Sequence, residues 1–262
     1  MISTQQAAVS TGQDGHPIAD GAIKPAQSVQ DMFDSIAGRY DLLNHILSAG
    51  VDRLWWRRTA RALRHILIRP EAQVLDLCCG TGDMTLALLK HRPSTSSTAP
   101  LLAVDFSHNM LSLGNVKFQH QNILPIEADA LHLPLPSNSL DLISSAFGFR
   151  NLANYEAGLA ELFRVLRPGG EIAILDCNQP DGLLGSFYNL HLHRILPLIG
   201  SILSDPAAYA YLPASIARFP RPPRMLEMIH AAGFRSATWT SYTFGVAGLY
   251  RAVKPGGVGN RV

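Results

Sequence analysis

Five short apolar runs recur along the chain with helix-patterned segments between them: "AQVLDL" (72–77), "LLAVD" (101–105), "NILPIEA" (122–128), "SLDLISSAF" (139–147) and "EIAILD" (171–176). Their apolar residues are mostly continuous rather than alternating, as in parallel strands covered by helices on both faces. The alternation therefore predicts a doubly wound α/β sheet. In "ANYEAGLAELFRVLRPGG", Leu159, Leu162, Phe163 and Leu166 share one helical face, Pro168 stops the helix, and Gly169 and Gly170 permit a turn into the fifth strand. "GFRSATWTSYTFGVAGLYRAV" (233–253) reads as an antiparallel hairpin with a tight connection around Thr243 to Gly245. Ahead of the first strand, residues 29–67 carry helical periodicity broken at Gly38 and Gly50, and helices so placed can form a lid.

A chain of 262 residues that is 47% apolar can build one large core, and no internal repeat divides it. The expected organisation is a disordered lead-in over 1–28, one domain over 29–253, and a loose tail over 254–262. The lead-in lacks both an apolar stretch of signal-peptide length and an Arg-rich transit pattern. Of three cysteines, two are adjacent and unsuited to an ordinary bridge, which points to a reducing compartment and a cytoplasmic address. A net charge of +2 is too small to suggest nucleic acid as a partner. A charged fraction of only 16% leans toward an apolar substrate, and leaves peripheral membrane contact and a homodimer open. The most apolar stretch, 183–203, is interrupted by Asn189, His191, His193, Arg194 and Pro197 and does not read as a spanning helix. His191 and His193 lie two apart on a helix-like stretch and make no metal-ligand arrangement, so no metal is expected.

"VLDLCCGTGD" (74–83) ends the first strand in a glycine turn, where open α/β sheets bind ligands. A dinucleotide fingerprint would need a third glycine where Thr85 stands, and no Gly-Lys-Ser/Thr follows to make a P-loop. Asp105 ends the second strand and can accept bonds from both hydroxyls of a ribose. Asp129, after the third strand, can accept from an adenine amine, with Ala130 beside the ring. Together these features read as an adenosine site without a dinucleotide; the plainer alternative is a turn whose neighbouring aspartates cap helices. Cys78 and Cys79 read as small packing residues, since no paired cysteine set exists elsewhere for zinc.

With Asp76, Asp105, Asp129 and the Leu-Arg-Pro-Gly-Gly turn in order, the chain resembles a class I S-adenosylmethionine-dependent methyltransferase. The resemblance implies a Rossmann-like seven-stranded sheet with an antiparallel last strand. It implies that Asp76, Gly80, Thr81 and Gly82 surround the methionine and ribose end of S-adenosyl-L-methionine, that Asp105 holds the ribose, and that Asp129 and Ala130 meet the adenine. "VQDMFDSIAGRYDLLNHILSAGVDRLWWR" (29–57) and "AFGFRNLANYEAGLAELFRVLRPGG" (146–170) are similar to the menaquinone and ubiquinone biosynthesis C-methyltransferase family. The similarity runs over roughly 29–253. Departures are Asp52 where many relatives carry His, Ala146 where a serine is common, and the Cys78-Cys79 pair in place of small residues.

That resemblance implies methyl transfer to a ring carbon of a prenylated quinol, demethylmenaquinol to menaquinol, with a ubiquinone-pathway benzoquinol as the alternative. A non-catalytic cofactor-binding partner protein is the competing class. Carbon attack requires the electron-rich quinol, whose hydroxyl has a pKa near about 10 if Tyr is the guide. Arg150 is the candidate to stabilise the developing phenolate, Asn151 to fix the second ring oxygen, and Tyr40 to bond the quinol or close over the cofactor. Helix capping is the alternative for Arg150 and Asn151, and packing for Tyr40. The segment 183–203, with Phe149 to Leu152, is the candidate channel for a polyprenyl tail.

Overall fold

The computed structural model of the protein describes residues 30, 34, 50–93, 99–180 and 206–256, with only the backbone for 206–210. The strands are β1 (Val74–Leu77), β2 (Leu101–Asp105), β3 (Ile123–Glu127), β4 (Leu140–Ala146), β5 (Leu166–Cys177), β6 (Arg235–Tyr242) and β7 (Ala247–Val253). They form one sheet in the order β3-β2-β1-β4-β5-β7-β6. Strands β1 to β5 pair in parallel, while β7 runs antiparallel to both β5 and β6. The doubly wound sheet with its antiparallel last strand is thus as the sequence predicts. The order reverses direction between β1 and β4, which marks the switch point where such sheets open a crevice.

Helices on both faces explain why β1 is buried at every position. On one face, Val74, Leu142, Ala173 and Leu249 pack against α1 (Asp52–Ala62) and α3 (Asp83–Leu89) through Trp55, Leu63, Met84 and Leu88, with the one-turn α2 (Arg64–Leu67) beside them. On the other, Leu75, Ile143, Ile172 and Tyr250 meet Leu159 and Leu162 of α5 (Tyr155–Val165) and Met225 and Ile229 of α7 (Pro222–Ala231). Asn154 caps α5, its side chain accepting from Ala157 N at 2.9 Å. Two further helices, α4 (His108–Phe118) and α6 (Pro206–Arg218), flank the crevice.

The fifth strand differs from the expected one. The strand run begins at Leu166, with Leu140 opposite Leu166 and Leu142 opposite Glu171, so Arg167 to Gly170 loop out inside the strand. Gly169, at φ +83, permits the excursion. Main-chain bonds from Gly169 N to Lys254 O and from Lys254 N to Gly170 O, each 2.8 Å, restore pairing there. Lys254 is therefore no part of a loose tail: its Nζ also donates to the carbonyls of Phe163 and Leu166 at 2.6 and 2.8 Å. The β6–β7 connection is a 3-10 turn at Thr243–Gly245, as expected. The lead-in over 1–28 and the stretch 183–203 lie outside the described residues.

Candidate functional site

Three adjoining cavities line the carboxyl ends of β1, β2 and β4 and the loop after β3. The first is walled by Asp105, Asp129, Ala130, Asn151 and Leu152, the second by Gly80, Asp105, Met110, Phe147 and Asn151, and the third by Trp56, Asp76, Gly80, Thr81 and Phe147. Cys78 lines all three, so they form one groove bent around the end of β1. Of the ten residues expected to act, Asp76, Gly80, Thr81, Asp105, Asp129, Ala130 and Asn151 line this groove. Tyr40 lies outside the described residues.

Two expected residues do not line it. Gly82 faces α4 instead: a Cβ there would sit 2.2 Å from the Phe118 ring, and φ is +89, so the glycine serves the packing of the turn against that helix. Arg150, expected to face the acceptor, turns its guanidinium inward and is buried. Its Nη1 donates to Asp176 Oδ1 at 2.7 Å and to the Phe147 carbonyl, and its main-chain N donates to Asp176 Oδ2 at 3.0 Å. Asp176 is fully buried at the end of β5, so each charge neutralises the other beneath the loop that carries Asn151.

Asp76 is also fully buried, and only one of its oxygens is matched, Oδ2 accepting from Thr85 Oγ1 at 2.6 Å. Oδ1 has no hydrogen-bond partner among the described residues. Burial, with Asp105 nearby, pushes the Asp76 carboxyl up to about 7 against the lowering bond from Thr85. An unmatched buried acceptor beside a cavity that Thr81 and Asp83 also line fits a cationic donor such as an amino acid's ammonium. Asp105 holds the turn to β2: Oδ2 accepts from Gly80 N at 2.8 Å and Oδ1 from Ser107 N at 2.9 Å. A carboxylate offers about four acceptor sites, so both oxygens keep capacity for a diol. Burial pushes its carboxyl up to about 6. Asp129, half in solvent, accepts from Leu131 N at 2.9 Å.

Several residues that shape this groove lie outside the set expected to act, Cys78 among them, for which the sequence suggested only a packing role. Cys78 and Phe147, at the ends of adjacent strands β1 and β4, both have positive φ, +53 and +59. Such strain in non-glycine residues clusters at sites where the fold over-determines it. Cys78 also explains Gly148, where a Cβ would come within 2.2 Å of the cysteine's own Cβ. Its thiol is pushed well above the usual range by burial and by Asp105 and Asp76, so it faces the groove as a neutral, apolar group. Cys79 packs among Ala103, Leu111 and Phe118, as expected of a small core residue. Tyr211 of α6 donates its hydroxyl to Asn151 Oδ1 at 3.1 Å. Lys117 of α4 donates to Thr81 Oγ1 and Asp83 Oδ1, both at 3.0 Å, pinning the glycine turn.

The helical residues Gln30 and Asp34 close over the same end of β2. Gln30 Nε2 donates to Phe106 O at 2.8 Å, and Asp34 accepts from the Ser107 hydroxyl, which itself caps α4. These contacts place the beginning of the expected lid beside Asp105. Only an acid at the end of β5, the signal that marked Asp105, could have pointed to Asp176; Tyr211 and Lys117 carry no local signature.

Residues 22–254 match the model of the ubiE/COQ5 methyltransferase family. The chain is 43% identical over 244 residues to the demethylmenaquinone methyltransferase of Deinococcus radiodurans, covering 92% of this chain and 98% of that one. It is 42% identical over 228 residues to the enzyme of the same name from Thermus thermophilus, covering 86% and 100%. Among solved structures, an S-adenosylmethionine-dependent methyltransferase from Thermotoga maritima superposes with a TM-score of 0.60 at 16% identity, covering 86% of this chain and 99% of that one.

Proposed function

Because the chain belongs to the ubiE/COQ5 methyltransferase family, we propose that it transfers a methyl group from S-adenosyl-L-methionine to a ring carbon of demethylmenaquinol, giving menaquinol. The observation that carries the reading is the single bent groove at the switch point, with an unmatched buried carboxylate oxygen at one end and two further strand-end acids along it. The cofactor, when bound, supplies an electrophilic methyl on a sulfonium sulfur.

Asp76 Oδ1 is assigned to the ammonium of the methionine end, with Gly80 and Thr81 bordering that end of the groove. Asp105 accepts from the ribose hydroxyls while still holding Gly80 N and Ser107 N. Asp129 accepts from the adenine amine, and Ala130 packs on the ring. Asn151 faces the acceptor. With Oδ1 accepting from Tyr211, its Nδ2 is left to donate to a quinol oxygen, where it stabilises charge developing as the ring attacks. Arg150 acts as a positioning residue: paired to Asp176, it fixes the Phe147-to-Leu152 loop, whose Arg150 carbonyl is held in turn by Arg218 and Tyr155 at 2.9 and 3.0 Å. Tyr40 keeps its assignment as a residue of the lid over cofactor or quinol.

No helix among the described residues is long and apolar enough to cross a membrane. A prenylated quinol is held in the bilayer, so we place the protein in the cytoplasm, working at the inner face of the membrane. Incubation with methyl-tritiated S-adenosyl-L-methionine and extracted quinols tests the function. Label should enter demethylmenaquinol; label entering only benzoquinols would move the enzyme to the ubiquinone pathway, and cofactor binding with no transfer would overturn the catalytic reading.

A further inference from the structure

The outer face of α1 and α2 is uniformly basic. No exposed position between 53 and 70 is acidic, and Asp52, the acid at the start of α1, is 2% exposed. Arg57, Arg58, Arg61 and Arg64 all stand exposed, spaced so that they share the side of the helix opposite Trp55, Thr59 and Leu63. Among the described residues no carboxylate pairs with Arg57, Arg61 or Arg64, whereas Arg69 just beyond is matched by Asp141 at 2.7 Å. The positive field is also felt next door: burial, then Arg64 and Arg61, hold the His91 imidazole below its ordinary range.

Large apolar side chains lie within and beside this field. Leu54 is 51% exposed on the same helix. Phe244, at the tip of the β6–β7 connection, is 80% exposed, and the backbone there is strained, with φ +55 in a bulky residue. The connection is fastened to the helix flank: Trp55 Nε1 donates to Thr243 Oγ1 at 2.8 Å, and the Arg58 guanidinium sits 4.4 Å from the centre of the Tyr242 ring. The next residue of α1, Trp56, lines the groove. The connection carrying Phe244 thus adjoins the flank of α1 beside its basic face, through Arg58, and the same helix supplies a wall of the groove.

The geometry points to this region as a docking surface for an anionic lipid bilayer, with Arg57, Arg61 and Arg64 against lipid phosphates and Leu54 and Phe244 entering the interface. A helix with a charged basic face lying flat in the headgroup layer is the arrangement that such a surface fits. A duplex would use the arginines but has no use for Leu54 and Phe244, and although a single strand could stack on Phe244, it has no use for the aliphatic Leu54 and would meet a net charge of only +2, which decides for lipid. The proposal deepens the functional reading, since it would bring the groove to where a prenylated quinol resides, but the docking can be measured without methyl transfer.

The test is cosedimentation of the full chain with phosphatidylglycerol vesicles and, separately, phosphatidylcholine vesicles in ~0.1 M salt, a screening length of about 10 Å. Binding should favour the anionic vesicles and fall as salt is raised. The triple variant Arg57→Gln, Arg61→Gln, Arg64→Gln should bind them about 100-fold more weakly, at about fivefold per basic residue. Its thermal stability and its methyl transfer to a short-tailed quinol should stay as in the parent. Phe244→Ser should weaken binding to both vesicle types, as loss of an inserted aromatic would. Equal binding to the two lipids, full binding by the triple variant, or displacement of the vesicles by single-stranded RNA at equal phosphate would overturn the proposal. Vesicle binding as expected by a protein that methylates no quinol would leave this surface standing and sink the quinol reading instead.

Discussion

Replacing Asp76 with Asn should stabilise the cofactor-free protein at neutral pH and destabilise it in acid. The Asp76 carboxyl sits at about 7 in the fold against 3.8 unperturbed, because burial strips its charge of water. A folded group whose pKa is raised keeps its proton where the unfolded chain has lost it. Unfolding therefore releases a proton between pH 3.8 and about 7, and stability falls as pH rises through that window. About three units at 1.36 kcal/mol each make the buried charge cost about 4 kcal/mol at pH 8. An amide removes that cost and can still accept from Thr85 Oγ1, but it points an NH2 to where Oδ1 now has no partner, an unmatched donor costing about 1 to 3 kcal/mol. The net expectation for Asp76→Asn is a gain of about 1 to 3 kcal/mol at pH 8 and a loss of similar size near pH 4. Urea unfolding of both proteins at pH 4, 6 and 8 reads the difference directly. Calorimetric titration with S-adenosyl-L-methionine at pH 8 should show affinity about 10- to 100-fold lower in the variant, the loss of one charge-assisted bond. A stability difference that does not move with pH would refute the electrostatic account of Asp76, and undiminished cofactor affinity would refute its role as ammonium acceptor.

Gly148→Ala should cost about 1 to 3 kcal/mol by overpacking against Cys78, and adding Cys78→Gly, which removes the clashing Cβ at a positive φ, should recover most of it. Additive thermal shifts in the two single variants would exclude that contact as the cause. Arg150→Met should lose about 3 to 5 kcal/mol by stranding the Asp176 charge, while Arg150→Met with Asp176→Asn, which removes that charge and keeps an oxygen to accept from main-chain N, should recover much of it. If the double variant also regains turnover, Arg150 acts by position; if it is stable and inactive, the arginine's charge takes part in the chemistry. Tyr211→Phe should lower kcat/KM for the quinol about 2- to 13-fold, the worth of one hydrogen bond orienting Asn151, with cofactor affinity unchanged; equal loss of both would count against that orientation.

Elements were legible where a single physical cause produces a pattern in the chain. Continuous apolar runs arise where both faces are covered, as in β1, β2, β4 and β5, and the sequence showed these; it also showed β3, an edge strand with Leu124 and Glu127 exposed, by its apolar content alone. The Leu-Arg-Pro-Gly-Gly stretch was read as a turn before a strand because Pro168 and Gly169 are punctuation in any local reading. What makes it an excursion within β5 is the pairing of Gly169 and Gly170 with Lys254, about eighty-five positions away, and no window of sequence contains that contact. Acids at strand ends were legible for the same reason as the strands, since the apolar run marks where each stops. The burial of the Arg150 guanidinium was not legible because a cation next to a crevice looks free until its counter-ion is placed, and Asp176 comes from the neighbouring strand.

The glycine turn shows how a motif can be right about the ligand and wrong about the reason for its residues. Gly80 and Thr81 border the groove, but Phe118 excludes any larger side chain at Gly82, and the Thr81 hydroxyl accepts from Lys117. Two of the three residues of "GTG" thus serve the docking of α4 on the turn. That docking in turn carries Ser107, the cap of α4, to the point where Asp34 grips it. Between cofactor and lid there is then a short rigid chain: Gly80 N bonds Asp105, Asp105 bonds Ser107 N, and the Ser107 hydroxyl bonds Asp34. A ribose that draws on the spare capacity of Asp105 acts on the central link of that chain. If the ribose acts through that link, Asp34→Ala should speed cofactor release, read by stopped-flow displacement, without altering the unfolding midpoint of the cofactor-free sheet. An unchanged release rate would show that the lid closes independently of Asp105.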